Sequence, residues 1–183
     1  ETLGKQLFFD TILSKSHTQS CATCHNPNAA FIDNRENNSG SLGHDNFSLG
    51  DRNTPTAAYA NQTPSFHKNA QDEYVGGLFW DGRADDLAEQ AGGPPLNPIE
   101  MGMTSKKEVA QRLKNTPHYY SVFTALFGQN IFSSSENVYK AVQESIATFE
   151  KTDFFSPFDS KYDRYLDGNY LLTEQEELGM SLF

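Results

Sequence analysis

The stretch "CATCH", residues 21–25, contains both cysteines of the 183-residue chain. Two cysteines separated by two residues lie on one face of a helical turn, where their sulfurs can reach the two vinyl groups of one porphyrin. The adjacent His25 then lies beneath the ring and can bind iron through one imidazole nitrogen, while the other nitrogen remains for a hydrogen bond. The motif therefore predicts haem c bound covalently to Cys21 and Cys24, with His25 as an iron ligand.

Two other uses of a C-x-x-C pair are less well supported. A thioredoxin-type disulfide needs a βαβ setting, which the surrounding sequence does not predict. Half of a zinc site would need a second ligand pair, but the chain has no further cysteine and no suitably spaced pair of histidines. Covalent haem attachment also implies a location on the far side of an energised membrane, in the bacterial periplasm or at the cell surface.

The sequence outside the motif predicts an all-α fold with long irregular loops. Residues 26–77 are rich in Asn, Gly, Ser, Asp and Pro, and a loop of this length usually surrounds a ligand or carries function. No convincing pair of strands is predicted. Helical patterns cover residues 1–9, 84–91, 104–116, 117–127, 135–152 and 157–168, and a further helix begins after Thr173. The clearest amphipathic stripe consists of Val138, Val142, Ile146 and Phe149.

The composition excludes two classes of partner. The net charge is −10 and no run of Lys or Arg is present, which argues against a nucleic-acid partner. No stretch of about 18 apolar residues occurs, so no membrane span is predicted.

The sixth ligand of the iron decides between electron transfer and catalysis. A permanent strong ligand indicates an electron carrier, whereas an open site can bind peroxide. His44, which follows Gly43 in the irregular loop, is favoured as a distal ligand because a loop side chain can be moved over a ring and withdrawn. All the candidate distal ligands are His17, His44, His67, His118, Met101 and Met103.

Four blocks of sequence, taken in order, resemble the bacterial di-haem cytochrome c peroxidase family, which includes the MauG-like proteins. The blocks are "LGKQLFFDTILSKSHTQSCATCHNP", "DRNTPT", "FWDGRADDLAEQAGGP" and "NPIEM". The resemblance implies a cytochrome c-like haem domain that reduces hydrogen peroxide to water. It also implies electrons from a small cytochrome c or copper protein, delivered through a second haem domain, and a second copy of the chain as a further expected partner.

The two ends of the chain resemble each other. "ETLGKQLF" at residues 1–8 and "EELGMSLF" at residues 176–183 are identical at five of eight positions. Within the family resemblance, this repeat implies that residues 1–170 form the peroxidatic haem domain. Residues 171–183 would then be the first helix of a second, missing haem domain, and a second haem is expected in the intact protein.

The resemblance also assigns catalytic roles. His25 would be the proximal ligand, and His44 would match the histidine that occupies the distal site at rest in many members. Glu100 would be the distal acid–base group, Gln90 would lie in the peroxide pocket, and Trp80 would lie between the two haems as a stepping stone for an electron. Without the resemblance, each residue has a simpler explanation: Glu100 would start a helix, Gln90 would lie on a solvated helix face, and Trp80 would be a core residue.

Three further residues receive binding roles from the resemblance. Asn53 resembles a ligand of a calcium ion between the domains, with most other ligands supplied by the missing half. Arg52 and Arg83 could pair with the haem propionates, since a guanidinium matches a carboxylate bidentately. Either arginine could equally be a structural loop residue.

One segment departs from the family pattern. Residues 57–78 form a longer segment than in the typical peroxidase, which either brings His67 or Tyr74 near the haem or only decorates the surface. This departure leaves room for a MauG-like role, the oxidation of another protein. Three functions therefore remain: peroxide reduction, MauG-like oxidation of a protein substrate, and electron transfer by a mono-haem cytochrome.

Overall fold

The computed structural model describes residues 1–35 and 40–183, and it confirms the predicted all-α fold. Two-residue strands β1 (His67–Lys68) and β2 (Tyr74–Val75) pair antiparallel, so the expectation of no strand pair is wrong for this one short hairpin. The α-helices of the described residues are α1 (Thr2–Phe9), α2 (Cys21–Cys24), α3 (Leu87–Ala91), α4 (Lys106–Asn115), α5 (Pro117–Phe127), α6 (Ser135–Glu150), α7 (Lys161–Leu166) and α8 (Glu174–Leu182). Single 3-10 turns occur at Thr11–Leu13, Pro27–Ala29, Ala60–Gln62, Pro94–Leu96 and Ile131–Ser133.

Side-chain caps set several helix starts. The helix predicted from residue 84 begins only at Leu87, because the Asp86 carboxylate accepts the Glu89 backbone N–H at 2.8 Å and acts as the N-cap. At α8, Thr173 and Glu176 form the predicted reciprocal capping box. At α4, Ser105 accepts from the Glu108 N–H, but the Glu108 carboxylate turns back to Thr104 instead, so only half of that box forms.

Helices α1 and α6 cross closely, and this crossing is the centre of the fold. The predicted α6 stripe is buried, with its four apolar residues each no more than 2 % exposed. Gly4 faces α6, where a Cβ atom would overlap the Ser145 carbonyl group and lie 2.9 Å from the Phe149 Cβ. A residue without a side chain therefore sets the separation of the two helices.

A cluster of phenylalanines links this crossing to the loop after α2. Phe155 is fully buried and stacks on Phe31 with the ring centroids 4.4 Å apart. It also meets Phe8 and Phe149 edge-on, at centroid distances of 5.3 and 5.1 Å. Burial of several aromatic rings contributes much of the apolar area of a core. The cluster thereby fixes the chain that follows the CATCH motif against α1 and α6.

Helix α8 differs from α1 despite the shared sequence. None of its residues is buried, and Leu178, Met180 and Leu182 are exposed. A Cβ atom at Gly179 would meet no atom within 4 Å. Its expected role as the first helix of a second haem domain stays a prediction. Across the described ranges, no helix has both the length and the apolar character needed to cross a bilayer.

Candidate haem site

The CATCH motif forms the single turn of α2. Cys21 and Cys24 are the first and last residues of the helix, and both line the same cavity as free thiols. The Thr23 hydroxyl accepts the Ser20 backbone N–H at 2.9 Å and fixes the start of the turn. Burial raises the pKa of both thiols above the usual value for cysteine. Two neutral thiols on one helical face are the arrangement predicted for attachment to a porphyrin.

His25 is oriented by a hydrogen bond at Nδ1, and the Pro55 backbone carbonyl also lies close enough to the ring to affect the pKa of His25. Its Nδ1 lies 3.1 Å from the Phe31 carbonyl oxygen, which can only accept, so Nδ1 carries the proton and Nε2 remains available as a ligand. Ala30 and Phe31 both adopt left-handed backbone angles, with φ of 51° and 57°, and turn this carbonyl back towards the imidazole. Burial lowers the pKa of His25, which favours the neutral form that binds metals.

A cavity of about 390 Å³ opens above the motif. Its walls come from α2, the loop at residues 50–57, the turn at residues 78–83, α3 and the segment at residues 94–101, with Ile146 and Glu150 of α6. The volume falls within the range usual for small-molecule and cofactor sites, roughly 300–1,000 Å³. The cavity brings together most of the predicted site residues, namely Cys21, Cys24, His25, Arg52, Asn53, Trp80, Arg83, Gln90 and Glu100.

Glu100 is the predicted acid–base group, and it lines this cavity as a half-buried carboxyl. Its Oε1 accepts a hydrogen bond from the Asn97 side-chain amide at 2.8 Å. Burial raises the pKa of Glu100 and outweighs the Asn97 hydrogen bond, which lowers it. A carboxyl with a raised pKa in a cavity shared with a histidine can hold or move a proton. Gln90, on α3, lines the same cavity.

Trp80 lies at the mouth of the cavity and is not a core residue. It is 63 % exposed, and its indole N–H donates to the Asn53 carbonyl oxygen at 2.7 Å. Arg52 and Arg83 lie at the same mouth, where both pair with the Asp81 carboxylate at 3.0 and 2.7 Å. The two guanidinium groups therefore lie close together, as pairing with the two haem propionates would require. In this structure both pair with Asp81 instead.

The structure does not bring His44 into the cavity lining. Its Nδ1 bonds to the Ser16 hydroxyl at 2.8 Å, and its ring packs against Gly102. Its role as a distal ligand stays a prediction. Among the other candidates, Met101 lines the cavity, whereas His118 bonds to Gln6 at 3.1 Å, away from it. His17, His67 and Met103 are likewise outside the lining.

In the segment at residues 57–78, His67 and Tyr74 lie at the surface and not near the cavity. His67 and Tyr74 lie on the exposed hairpin, where the Tyr74 ring stacks on Phe66 with the centroids 5.5 Å apart. Tyr74 is 68 % exposed, and neither residue lines the cavity. The ends of the segment nevertheless do line it, through Ala57 and Leu78.

Glu150 also lines the cavity, although the sequence did not predict it as a site residue. It is 7 % exposed, and its Oε2 has no hydrogen-bond partner within the described part of the chain. Burial raises its pKa to about 8. The available signal was its spacing, since Val142, Ile146 and Glu150 continue one stripe at intervals of four residues.

These features fit a porphyrin, and they define the chain as a c-type haem domain with a cytochrome c-like helical core. The description "di-haem cytochrome c peroxidase" belongs to the family whose sequence profile matches residues 1–170. The chain belongs to this family, which implies c-type haem as its cofactor, and the CATCH residues stay the predicted attachment site.

The relatives include both named activities of the family. The methylamine utilization protein MauG of Paracoccus denitrificans is 51 % identical over 99 % of this chain and 48 % of its own length. The cytochrome c551 peroxidase of Pseudomonas aeruginosa is 38 % identical over 99 % of this chain and 46 % of its own length. The diheme peroxidase BthA of Burkholderia thailandensis superimposes with a TM-score of 0.91 at 33 % identity, covering all of this chain and 45 % of that one. The chain thus spans about half the length of these relatives.

Proposed function

We propose that this chain is the peroxide-reducing haem domain of a protein that converts hydrogen peroxide to water. The observation that carries the proposal is the half-buried Glu100 carboxyl in the same cavity as Cys21, Cys24 and His25. The cytochrome c peroxidases among the relatives support it. The electrons would come from a small cytochrome c or copper protein through a second haem domain, and the location would be the periplasm.

The chemistry divides between the cofactor and the chain. Haem, when bound, supplies an iron that can bind peroxide and exchange electrons. Glu100 in its ionised form takes the proton from one peroxide oxygen and returns it to the other, so that water can leave. The Gln90 amide can donate a hydrogen bond that orients peroxide beside Glu100. The Nδ1–H of His25, bonded to the Phe31 carbonyl, holds the imidazole in the orientation that presents Nε2.

The mouth of the cavity suits electron delivery. The Trp80 indole is exposed but anchored to Asn53, so a partner domain could contact a ring of fixed position. Asn53 would also contribute to a calcium site shared with that domain. Among the described residues no group of three or more His, Cys, Asp or Glu side chains could hold a metal ion, so such a site would need ligands from elsewhere.

A second candidate function is the MauG-like oxidation of another protein. The 51 % identity with the methylamine utilization protein MauG favours it, because that relative shares more sequence with this chain than the peroxidases at 38 % do. The same cavity would serve, with Trp80 carrying electrons from the substrate protein instead of from a small donor. Electron transfer by a mono-haem cytochrome is the third alternative.

Replacement of Glu100 tests the shared chemistry. We expect Glu100→Gln to slow the peroxide-induced change in haem absorbance by on the order of 10²–10⁴-fold, the usual contribution of general acid–base catalysis. The wild-type rate should fall as the pH drops through the raised pKa of Glu100, because only the carboxylate can accept the proton, and the variant should lose this pH dependence. Glu144→Gln, an exposed change on α6, is the matched control. An unchanged rate in Glu100→Gln would contradict the proposal.

Two further measurements distinguish the peroxidase, the MauG-like oxidase and the electron carrier. A low-spin ferric spectrum that is unaffected by cyanide and peroxide would favour the electron carrier. Steady-state turnover of peroxide with reduced cytochrome c, measured on the full-length protein, separates the other two. Rapid turnover supports the peroxidase, and negligible turnover with oxidation of a protein substrate supports the MauG-like role.

A further inference from the structure

Glu150 is an acidic residue at a position where the helix stripe is otherwise apolar. It is the last residue of α6 and follows Val142 and Ile146 on the buried face, at intervals of four residues. Ile146 and Glu150 both line the haem cavity. An aliphatic side chain would fill this position of the cavity wall equally well, so packing alone does not account for a carboxyl group here.

The carboxyl lacks the partners that a buried charge requires. Glu150 is 7 % exposed, and in the described ranges its Oε2 accepts and donates no hydrogen bond. Neither an Arg nor a Lys of the described chain forms an ion pair with it. An ionised carboxylate without a partner is strongly disfavoured in a low-dielectric site, so the neutral acid is the stable form in the absence of a nearby positive charge.

The protonation of Glu150 depends on its burial and on the titratable groups that share its cavity. The raised pKa, about 8, has burial as its cause. Cys21 is the titratable group with which Glu150 interacts electrostatically, and it becomes an uncharged thioether on haem attachment. The other titratable groups that line the cavity are Cys24, His25, Asp51, Arg52, Arg83 and Glu100.

Three charged groups on the helices packed on α6 have partners other than Glu150. On α1, the Lys5 ammonium lies 5.9 Å from the Phe154 ring centroid. On α3, the Glu89 carboxylate accepts the Asp85 backbone N–H at 2.7 Å. On α4, Lys106 pairs with Glu136 in the first turn of α6, at the opposite end from Glu150. Within the shared cavity, Glu100 is a second acid with a raised pKa, and bound haem would add the charge of its iron.

We propose that Glu150 is a redox-linked proton site of the haem. Its carboxylate takes up one proton from solvent when the iron gains one electron, and the carboxylic acid releases that proton when the electron leaves. Ferric iron adds one positive charge to the cavity, which stabilises the carboxylate, and reduction removes that charge. Proton uptake therefore keeps the net charge of the cavity constant. This inference requires a haem in the cavity, and it holds for peroxide reduction, MauG-like oxidation and electron transfer alike.

The redox potential of the haem provides a test that is independent of peroxide turnover. The haem-loaded chain would be titrated spectroelectrochemically with one-electron mediators, at a series of pH values from weakly acidic to weakly alkaline. We expect the wild-type potential to fall with rising pH between the pKa of Glu150 in the ferric protein and its higher pKa in the ferrous protein, and to level off above the second. The limiting slope is 59 mV per tenfold change in proton activity for a one-electron couple.

Three variants distinguish Glu150 from other proton sites. Glu150→Gln has nearly the same shape and cannot ionise, so it should abolish most of the slope. Glu150→Leu, which restores the apolar stripe, should do the same, and it keeps the test valid if the glutamine variant folds poorly. Glu144→Gln, on the exposed face of the same helix, should leave the slope unchanged. Redox-difference infrared spectra should show the band of a protonated carboxyl in the ferrous wild type, and this band should be absent in Glu150→Gln.

Each of the other outcomes overturns the proposal. A wild-type potential that does not vary with pH would show that no proton accompanies the electron. An unchanged slope in both Glu150 variants would assign the proton to another group, such as a haem propionate. Loss of the slope in Glu100→Gln, with its retention in Glu150→Gln, would assign it to Glu100.

Discussion

The crossing of α1 and α6 gives the sharpest test of the fold, through replacement of Gly4 by alanine. The added methyl group would overlap the Ser145 carbonyl group and lie 2.9 Å from the Phe149 Cβ. The carbonyl belongs to the helical backbone of α6 and cannot turn aside as a side chain can. The helices must therefore separate, which loosens the contact between the Phe8 and Phe149 rings, whose centroids lie 5.6 Å apart.

The expected loss in the free energy of unfolding of Gly4→Ala is the difference between two opposing effects. Overpacking of a well-packed core costs up to about 3 kcal/mol. Alanine recovers about 1 kcal/mol relative to glycine in a helix interior. The net loss is about 2 kcal/mol, which lowers the urea midpoint by about 1 M for a denaturant slope of about 2 kcal/mol per molar. The measurement is urea unfolding of the haem-loaded protein, followed by far-UV circular dichroism.

The repeated sequence supplies a matched control. Gly179 in α8 has the same Leu-Gly context as Gly4, but a Cβ atom there would meet nothing within 4 Å. Gly179→Ala should therefore leave the midpoint unchanged or raise it slightly through helix propensity. Equal stability of Gly4→Ala and the wild type would refute the reasoning, because it would show that the glycine does not set the helix separation.

Two further changes test other parts of the structure. Tyr119→Phe removes the buried hydroxyl that donates to the Asp10 carboxylate at 2.7 Å, and should cost about 1.5 kcal/mol in urea unfolding, the low end for bonds to charged groups because water can reach Asp10. The adjacent, exposed Tyr120→Phe serves as the control, and an equal effect of the two changes would exclude the hydrogen bond as the cause. Replacement of both Cys21 and Cys24 by alanine should leave a chain whose intact mass lacks haem after extraction with acidified solvent, whereas the wild type should keep one haem. Retention of haem by the double variant would show that attachment does not depend on these thiols.

Local features of the structure were predictable because neighbouring residues determine them. The turn that places Cys21 and Cys24 on one face depends only on a spacing of three residues. The buried stripe of α6 follows from the helical period, and the capping box of Thr173 and Glu176 follows from their spacing. The family resemblance added Gln90 and Glu100, which the structure places in one cavity with His25.

Features that depend on distant residues were not predictable in the same way. A local competition was also missed, since Glu108 bonds to the neighbouring Thr104 and leaves the Ser105 capping box incomplete. Trp80 is exposed and is anchored by a hydrogen bond to Asn53, 27 residues earlier in the chain. The position of His44 depends on packing against Gly102, which no local pattern encodes.

The sequence by itself determined the helical turn of the CATCH motif, the all-α class and the helix faces, since each is encoded by the spacing of residues within one or two turns. Only the tertiary structure decided that Asp81 holds both cavity arginines and that Glu150 reaches the cavity without a partner. The physical reason is that burial, and with it the protonation of an acid, depends on all the elements that surround a side chain. The spacing of Glu150 on its own helix indicates which face it lies on, but not that a cavity meets that face.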